Sequence, residues 1–430
     1  MWKLIIKNLW NRRRQNGWLL GEMVLVSIVT WIIADPVVVL IHDKSLSLGY
    51  DADRLCILKV ETLAELSPQF DKQATDPAVV IENFNRILQK VREQKEVDKV
   101  TPLLSHTFLN SRGSSSTVYQ VDTLEQRVNI MYYPMNQSYF ETYGIRTTPE
   151  SPTAEELSRK PLGPNEMIVT QDLVDHFFKD GRGVGKQLFN FYRDSTFYCI
   201  VGVVENLKVN SAWRPSPIAF VMDGELSSSG ISNNGRILVR LKEGVSMEKF
   251  VNDFKPWMIK NLSVGNLFIR SIQPYNEILS DSEYASGVTN KIRLNIALAV
   301  FFMFSLCLGV IGTFWLQTRK RREEIGILLS FGAHPSYIIR MLLGEGWVLS
   351  TLAFILGCLI YLQYAIKEGL YVGDCKMAAD EGYWVSSFGS HFIGVSVVVY
   401  LIILVVVSIG IYIPAYKISK INPVDALRDE

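Results

Sequence analysis

Between Leu294 and Leu316 the chain runs for 23 residues in which only Asn295 is strongly polar. At about 1.5 Å of rise per residue, a helix of that length clears the roughly 30 Å hydrocarbon core of a bilayer. A second run, Ile338 to Ile366, is also long enough, and two more extend from Trp18 to about Ile41 and from about Phe392 to Ile413. Apolar residues gathered into four such blocks predict a membrane protein rather than a set of globular cores. The first two runs named flank Arg319 to Ala333 (RKRREEIGILLSFGA), a basic, helix-forming connector.

Lys and Arg cluster at Arg12 to Arg14, at Arg319, Lys320, Arg321, Arg322 and Arg340, and at Lys417, Lys420 and Arg428. The positive-inside rule puts all three groups in the cytoplasm, with both termini inside. The expected organisation is an interfacial amphipathic helix (1–17), a first span with a stalk (18–41), and an extracytoplasmic domain of two lobes (42–290). A second span (291–317), a cytoplasmic coupling connector (318–337), a third span (338–366), a short outer loop (367–391), a fourth span (392–413) and a cytoplasmic tail (414–430) follow. With a formal net charge of +1, the basic patches read as topological and give no hint of nucleic acid.

The first run reads as an uncleaved anchor rather than a signal peptide. Seventeen residues precede it, and they place Trp2, Ile5, Ile6, Leu9 and Arg13 on one helical face, as expected of a helix lying in the membrane interface. Asp35 falls near the outer end of that run. It reads as an interfacial residue ending the span; the other reading is a partner buried in the helix bundle. Glu22 reads as lying near the inner headgroups. The five cysteines have no metal-like spacing, and Cys56, Cys199 and Cys375 outside the spans allow one disulfide.

From Asp51 to about Ser280 short alternating runs mix with helical periodicity, the pattern of an α+β domain. Helices are expected at Pro77–Glu96 and Ser246–Leu262, strands at Phe197–Val204 and Ile237–Leu241, and loops at Ser111–Ser116 and Ser227–Gly235. The two lobes are expected to divide near Pro149 to Pro164. Gly181 to Lys186 (GRGVGK) imitates a phosphate loop, but Asp180 and Gln187 stand where Gly and Ser or Thr are required, so it reads as a turn. His42, His106, His176, His334 and His391 are scattered without a catalytic pattern, and the chain is expected not to be an enzyme by itself.

Three regions resemble the FtsX-like and MacB-like permeases of bacterial ABC transporters. Arg322, Glu324, Ile325, Gly326, Gly332 and Ala333, with Glu345 beyond, are similar to the family's cytoplasmic R-x-E-I-G-I-x-x-x-x-G-A segment. Pro414 and Ala415, then Pro423, Val424, Ala426, Leu427, Arg428 and Glu430, are similar to its closing motif. Tyr139, Phe140, Tyr143, Gly144 and Ile145, followed by Asn165 to Gln171, Gly183 to Lys186 and Ile200 to Val204, resemble the outer-domain motifs in the same order. The chain departs from the pattern at Leu329, where many members carry a basic residue, and at Arg146 to Lys160, a Pro- and Glu-rich insertion.

The resemblance implies an α-helical membrane protein with four transmembrane helices and a large α+β extracytoplasmic domain between the first two. It implies the permease subunit of an inner-membrane ABC transporter, coupled by mechanotransmission to a separate ABC ATPase that binds ATP and Mg; no cofactor is expected in this chain. The coupling interface would comprise Arg319, Arg321, Arg322, Glu323 and Glu324 as rim charges, with Ile325, Gly326, Ile327, Leu328 and Phe331 as an apolar face. Gly332 and Ala333 would turn the chain into the next span. Further implied partners are a second copy or related permease, completing a dimer, and a periplasmic adaptor or outer-membrane component. Gly309, Gly312, Gly344, Gly346 and Gly357 would allow close helix approach. The substrate class spans peptides, antibiotics, lipoproteins and other envelope components. The alternative is an envelope sensor, a scaffold or a regulator of cell-wall hydrolases.

Overall fold

The computed structural model describes residues 13–111, 113, 115–135, 137–190, 196–222, 224–373 and 382–421. The interfacial helix expected over 1–17 and the tail residues Pro423, Ala426, Leu427 and Arg428 lie largely or wholly outside the described residues, as does Cys375. One compact unit gathers the long apolar helices and their connector; the other, His42–Thr289, is α+β.

Among the described residues four helices are long and apolar enough to cross a membrane. They are Arg13–Ser45, Val288–Lys320, Pro335–Glu368 and Phe388–Ser419, each roughly 50 Å long at the standard rise. Close approach depends on small residues at crossing points. Gly346 of the third helix faces Ile411 of the fourth, and Gly357 faces Ser27 of the first, where an added Cβ would collide. Trp31 of the first helix stacks on Tyr361 of the third at 4.4 Å and on Phe392 of the fourth at 5.1 Å. Such ring pairs contribute about 0.5–1.5 kcal/mol each beyond burial.

The first apolar helix continues through Pro36 to Ser45, so the segment expected as a stalk, Pro36 to Ile41, is an unbroken continuation of that helix. The helix Tyr275–Ala285 stops at Ser286, and Gly287 has φ +74°. The expected stalk from Tyr284 to Lys291 is therefore interrupted, because a left-handed backbone ends a helix.

The strands of the α+β unit are β1 (Leu55–Thr62), β2 (Val97–Leu103), β3 (Ser116–Val121), β4 (Leu124–Tyr133) and β5 (Glu166–Thr170). After them come β6 (Gln187–Asn190), β7 (Thr196–Val204), β8 (Ile218–Met222), β9 (Arg236–Leu241), β10 (Ser263–Val264) and β11 (Leu267–Pro274). Their partners divide them into an antiparallel sheet, β10-β11-β1-β9-β2, and a closed barrel, β3-β4-β8-β5-β7-β6. The barrel is inserted whole between β2 and β9. This corrects the division expected near Pro149 to Pro164, a segment that lies within the barrel's own chain. Local hydropathy marks a strand but not its partner, and β1 pairs with strands far away in sequence.

Helix Pro77–Arg92 forms where its apolar stripe predicts. Asp76 accepts the N–H of Ala78, Pro77 opens the helix, and Val80, Phe84, Ile87, Leu88 and Val91 are buried. The loop expected at Ser227–Gly235 is instead the short helix Ser228–Asn234. Ser227 caps it by accepting the N–H of Gly230, and Ile231 is its fully buried anchor. A Ser- and Asn-rich stretch conceals such a helix, because those residues favour caps and turns equally.

Candidate functional site

The connector is built as two tight turns around one short helix, Arg322–Ser330. At its end the N–H of Ala333 donates to Leu328 O and that of Gly332 to Leu329 O, both at 3.0 Å. Gly332 takes φ +86°, completing a Schellman cap that a Cβ would strain. His334 then caps the third apolar helix, its Nδ1 accepting the Ser336 N–H at 3.3 Å, with Pro335 in the first turn.

The short helix has two opposed faces. Ile325 and Gly326 are buried, whereas Arg319, Glu323, Glu324, Ile327 and Phe331 are exposed, Phe331 at 87%. Leu328 and Ala333 are half-buried and pack against the bundle core. Arg321, expected at an exposed rim, is 4% exposed. Its Nη1 and Nη2 donate to Glu345 Oε2 at 2.5 Å and Oε1 at 3.1 Å, and its Nε donates to Glu324 at 3.3 Å. The fork matches the carboxylate in both position and charge. Arg321, Ile325 and Gly326 therefore face inward; Arg321 fastens the connector to the third helix through Glu345, and Ile325 packs into the bundle core. The face open to a partner is narrower than the sequence implied: Ile327 and Phe331, with Arg319, Glu323 and Glu324 around them.

A second polar node lies among the apolar helices. Asp35 is 2% exposed; its Oδ1 meets His391 Nε2 at 2.6 Å and its Oδ2 accepts the Tyr371 N–H at 3.1 Å. His391 Nδ1 also faces the Val385 carbonyl at 2.8 Å. A carbonyl only accepts, so Nδ1 carries a proton there, and a further proton is held between Nε2 and the carboxylate. Asp35 is thus a partner buried in the bundle, the second of its two sequence readings. Its ligands come from the segment after the third helix and from the first turn of the fourth, where no local pattern announces them. Glu22 lies against Gly309 of the second helix.

Residues 296–423 match the FtsX-like permease C-terminal family, and residues 45–256 match the MacB-like periplasmic core domain. These segments do not overlap and together take in most of the chain. The chain belongs to the FtsX-like and MacB-like family of ABC transporter permeases. The macrolide export ATP-binding/permease protein MacB of Neisseria meningitidis serogroup A is 21% identical over 349 residues, covering 79% of this chain and 49% of that protein. The ABC transporter permease YtrF of Bacillus subtilis is 28% identical over 197 residues, covering 41% of this chain and 44% of its own. The permease spans about half the length of these curated relatives. The crystal structure of the periplasmic region of MacB from Actinobacillus actinomycetemcomitans is 12% identical, covers 55% of this chain and 94% of its own, and gives a TM-score of 0.29.

Within the permease, the Tyr139, Phe140, Tyr143, Gly144, Ile145 element is a core element. All but Gly144 are buried, in one cluster with sheet residues Leu55 and Ile57 and barrel residues Tyr133 and Phe220. Gly144 caps its short helix at φ +73°, against the Arg240 guanidinium. Gly181 to Lys186 is a turn between helix Gln171–Phe177 and β6, with Lys186 paired to Asp180 at 2.5 Å. Among the described residues no group of three or more His, Cys, Asp and Glu has a metal-holding arrangement, and Cys56, Cys199, Cys307 and Cys358 are free. Pro414 and Ala415 are buried in the fourth apolar helix.

One buried cation escaped the sequence. The Lys208 side chain is buried, its ammonium donating to the carbonyls of Asp43 and of Ser211, at 2.5 and 3.2 Å. Desolvation lowers its pKa to about 8, against the opposing pull of Asp43 and Glu283. Between about pH 8 and the ordinary Lys range the unfolded chain binds the extra proton, so this group makes stability rise with pH in that window and has no further effect below it. The expected increment is on the order of 3 kcal/mol. Melting curves of the wild type and Lys208→Met at pH 7 to 10.5 check it: the wild type gains relative to the variant as pH rises, and parallel curves would refute the assignment.

Proposed function

We propose that this permease couples ATP hydrolysis in a partner ABC ATPase to movement of its α+β unit on the far side of the inner membrane, with both termini cytoplasmic. The observation that carries this reading is the two-faced connector. Arg321 holds it to the third apolar helix and Ile325 packs into the bundle core, so a push on Phe331 and Ile327 passes into long helices instead of dissipating in a loop. A few buried anchors surrounded by charges supply most of the energy in such docking surfaces. ATP and Mg are bound by the ATPase. The work done is export or extraction of a peptide, antibiotic, lipoprotein or other envelope component by mechanotransmission.

A dimer is part of the proposal. The second apolar helix exposes Val300, Phe301, Phe304 and Leu308 at 57, 63, 64 and 53%, a face that a second copy or a related permease covers. A periplasmic adaptor or outer-membrane component would extend the assembly.

Charge reversal at Glu323 and Glu324, both exposed on the connector, tests the coupling. Glu323→Lys with Glu324→Lys is expected to lower ATP turnover of the copurified complex about tenfold, since like charges across an interface cost several kcal/mol. Glu323→Lys alone should leave the permease's melting temperature unchanged, whereas Glu324→Lys also removes an acceptor of Arg321 Nε and is read against the melting temperature of the variant. Unchanged turnover in a complex that still forms would remove the connector from the coupling path.

A further inference from the structure

The α+β unit carries an open cavity of about 370 Å³, a volume suited to a small organic ligand. One wall follows from strand register. β1 pairs with both β9 and β11, so Lys59 stands between Arg236 and Ser271, and Ile57 is opposite Gln273. Directly opposed residues project from the same face of a sheet. Across from them are Phe108, from the loop after β2, and Ile278 of helix Tyr275–Ala285.

Two cations side by side on neighbouring strands repel. Lys59 is answered by Glu61 at 2.9 Å, but that carboxylate is shared with Arg270 at 2.6 Å. Arg236 is half-buried; its guanidinium lies over the Phe108 ring, 5.3 Å from the centroid, and one N–H goes to the Asn234 carbonyl at 3.0 Å. Among the described residues no carboxylate pairs with it. Burial lowers its pKa, the signature of a cation short of a counter-charge. Asp281, also on the cavity, is already held by Gln273 Nε2 at 2.9 Å.

We propose that this cavity is a binding site for an organic carboxylate with an apolar body, the carboxylate on the free Arg236 donors and the body against Ile57, Phe108 and Ile278. Ile278 is half-buried and the edges of Ile57 and Phe108 close the floor, and a free phosphate would fill only the Arg236 end of a space of about 370 Å³, which favours the larger organic anion. A peptide C-terminus and a small carboxylic acid share this chemistry. The site is independent of the ATPase reading, since binding needs neither a partner nor nucleotide.

Calorimetric titration of the full chain in nanodiscs tests it with N-acetyl-leucine, its uncharged amide and inorganic phosphate. Saturable binding of one N-acetyl-leucine per chain is expected, with no binding of the amide. Arg236→Gln should weaken binding at least about tenfold, the scale of one charge-assisted contact. Ser271→Phe, at an exposed strand position, should fill the cavity and abolish binding while keeping the charge; circular dichroism establishes that both variants fold. A chain that fails to bind the carboxylate, binds the amide or phosphate equally well, or binds unchanged in both folded variants would overturn the site. N-acetyl-leucine competing with a peptide that has a free C-terminus, but not with its C-terminal amide, would identify the peptide terminus as the source; competition by neither would leave the small acid.

Discussion

Arg321→Ala is expected to destabilise the helical unit by about 3–5 kcal/mol, because it leaves the Glu345 carboxylate buried without its cation. Both groups are nearly inaccessible, and the guanidinium supplies two of the bonds that the carboxylate receives. Glu345→Ala should cost a similar amount by stranding Arg321. Replacing both at once, as Arg321→Met with Glu345→Met, should recover most of the loss, since a buried pair contributes little net stability over an apolar pair of similar volume. Thermal unfolding of the four proteins in one detergent measures this. A double variant as unstable as either single one would show that the pair is not the source of the effect. The same set separates fastening from docking: the double variant keeps the exposed Phe331 and Ile327, so it should still bind an ATPase even where coupling is impaired.

Asp35→Ala should also cost about 3 kcal/mol or more, by removing the acceptor of one His391 proton and of the Tyr371 N–H together. Asp35→Asn is the sharper test. Its amide preserves shape and still offers an oxygen, but not the negative charge that shares a proton with His391. If that shared proton matters, Asn should be nearly as damaging as Ala, and His391→Ala should add little to either, as groups acting in one network are not additive. Melting temperatures that return to the wild-type value in Asp35→Asn would reduce the node to an ordinary hydrogen bond.

Composition made the four apolar helices legible, because about twenty consecutive apolar residues have few alternatives to a buried or lipid-facing helix. Helix Pro77–Arg92 and strand Thr196–Val204 were legible for a related reason: their periodicity and flanking residues agree. The barrel inserted between β2 and β9 was not, since strand pairing is decided by packing between distant segments. The connector stood out as basic and helix-forming, yet its inward and outward faces did not. Arg321 and Glu345 are separated by 24 positions, and nothing in either local pattern says that they meet. Asp35 was read from its position in an apolar run, whereas its environment is set by His391, which lies 356 residues away. Lys208 and Arg236 looked like any surface cations, because burial of a basic side chain leaves no mark in a single sequence.

The most direct measurement is a photocross-link from position 331, with benzoylphenylalanine replacing Phe331 in intact cells. This aromatic side chain is already exposed, so the substitution leaves the bundle undisturbed. An adduct containing a nucleotide-binding ABC ATPase is expected, reduced when Glu323 and Glu324 are reversed. Cross-linking to no such protein, or modification of Phe331→Cys by a membrane-impermeant reagent applied outside the inner membrane, would contradict a cytoplasmic, ATPase-docked connector.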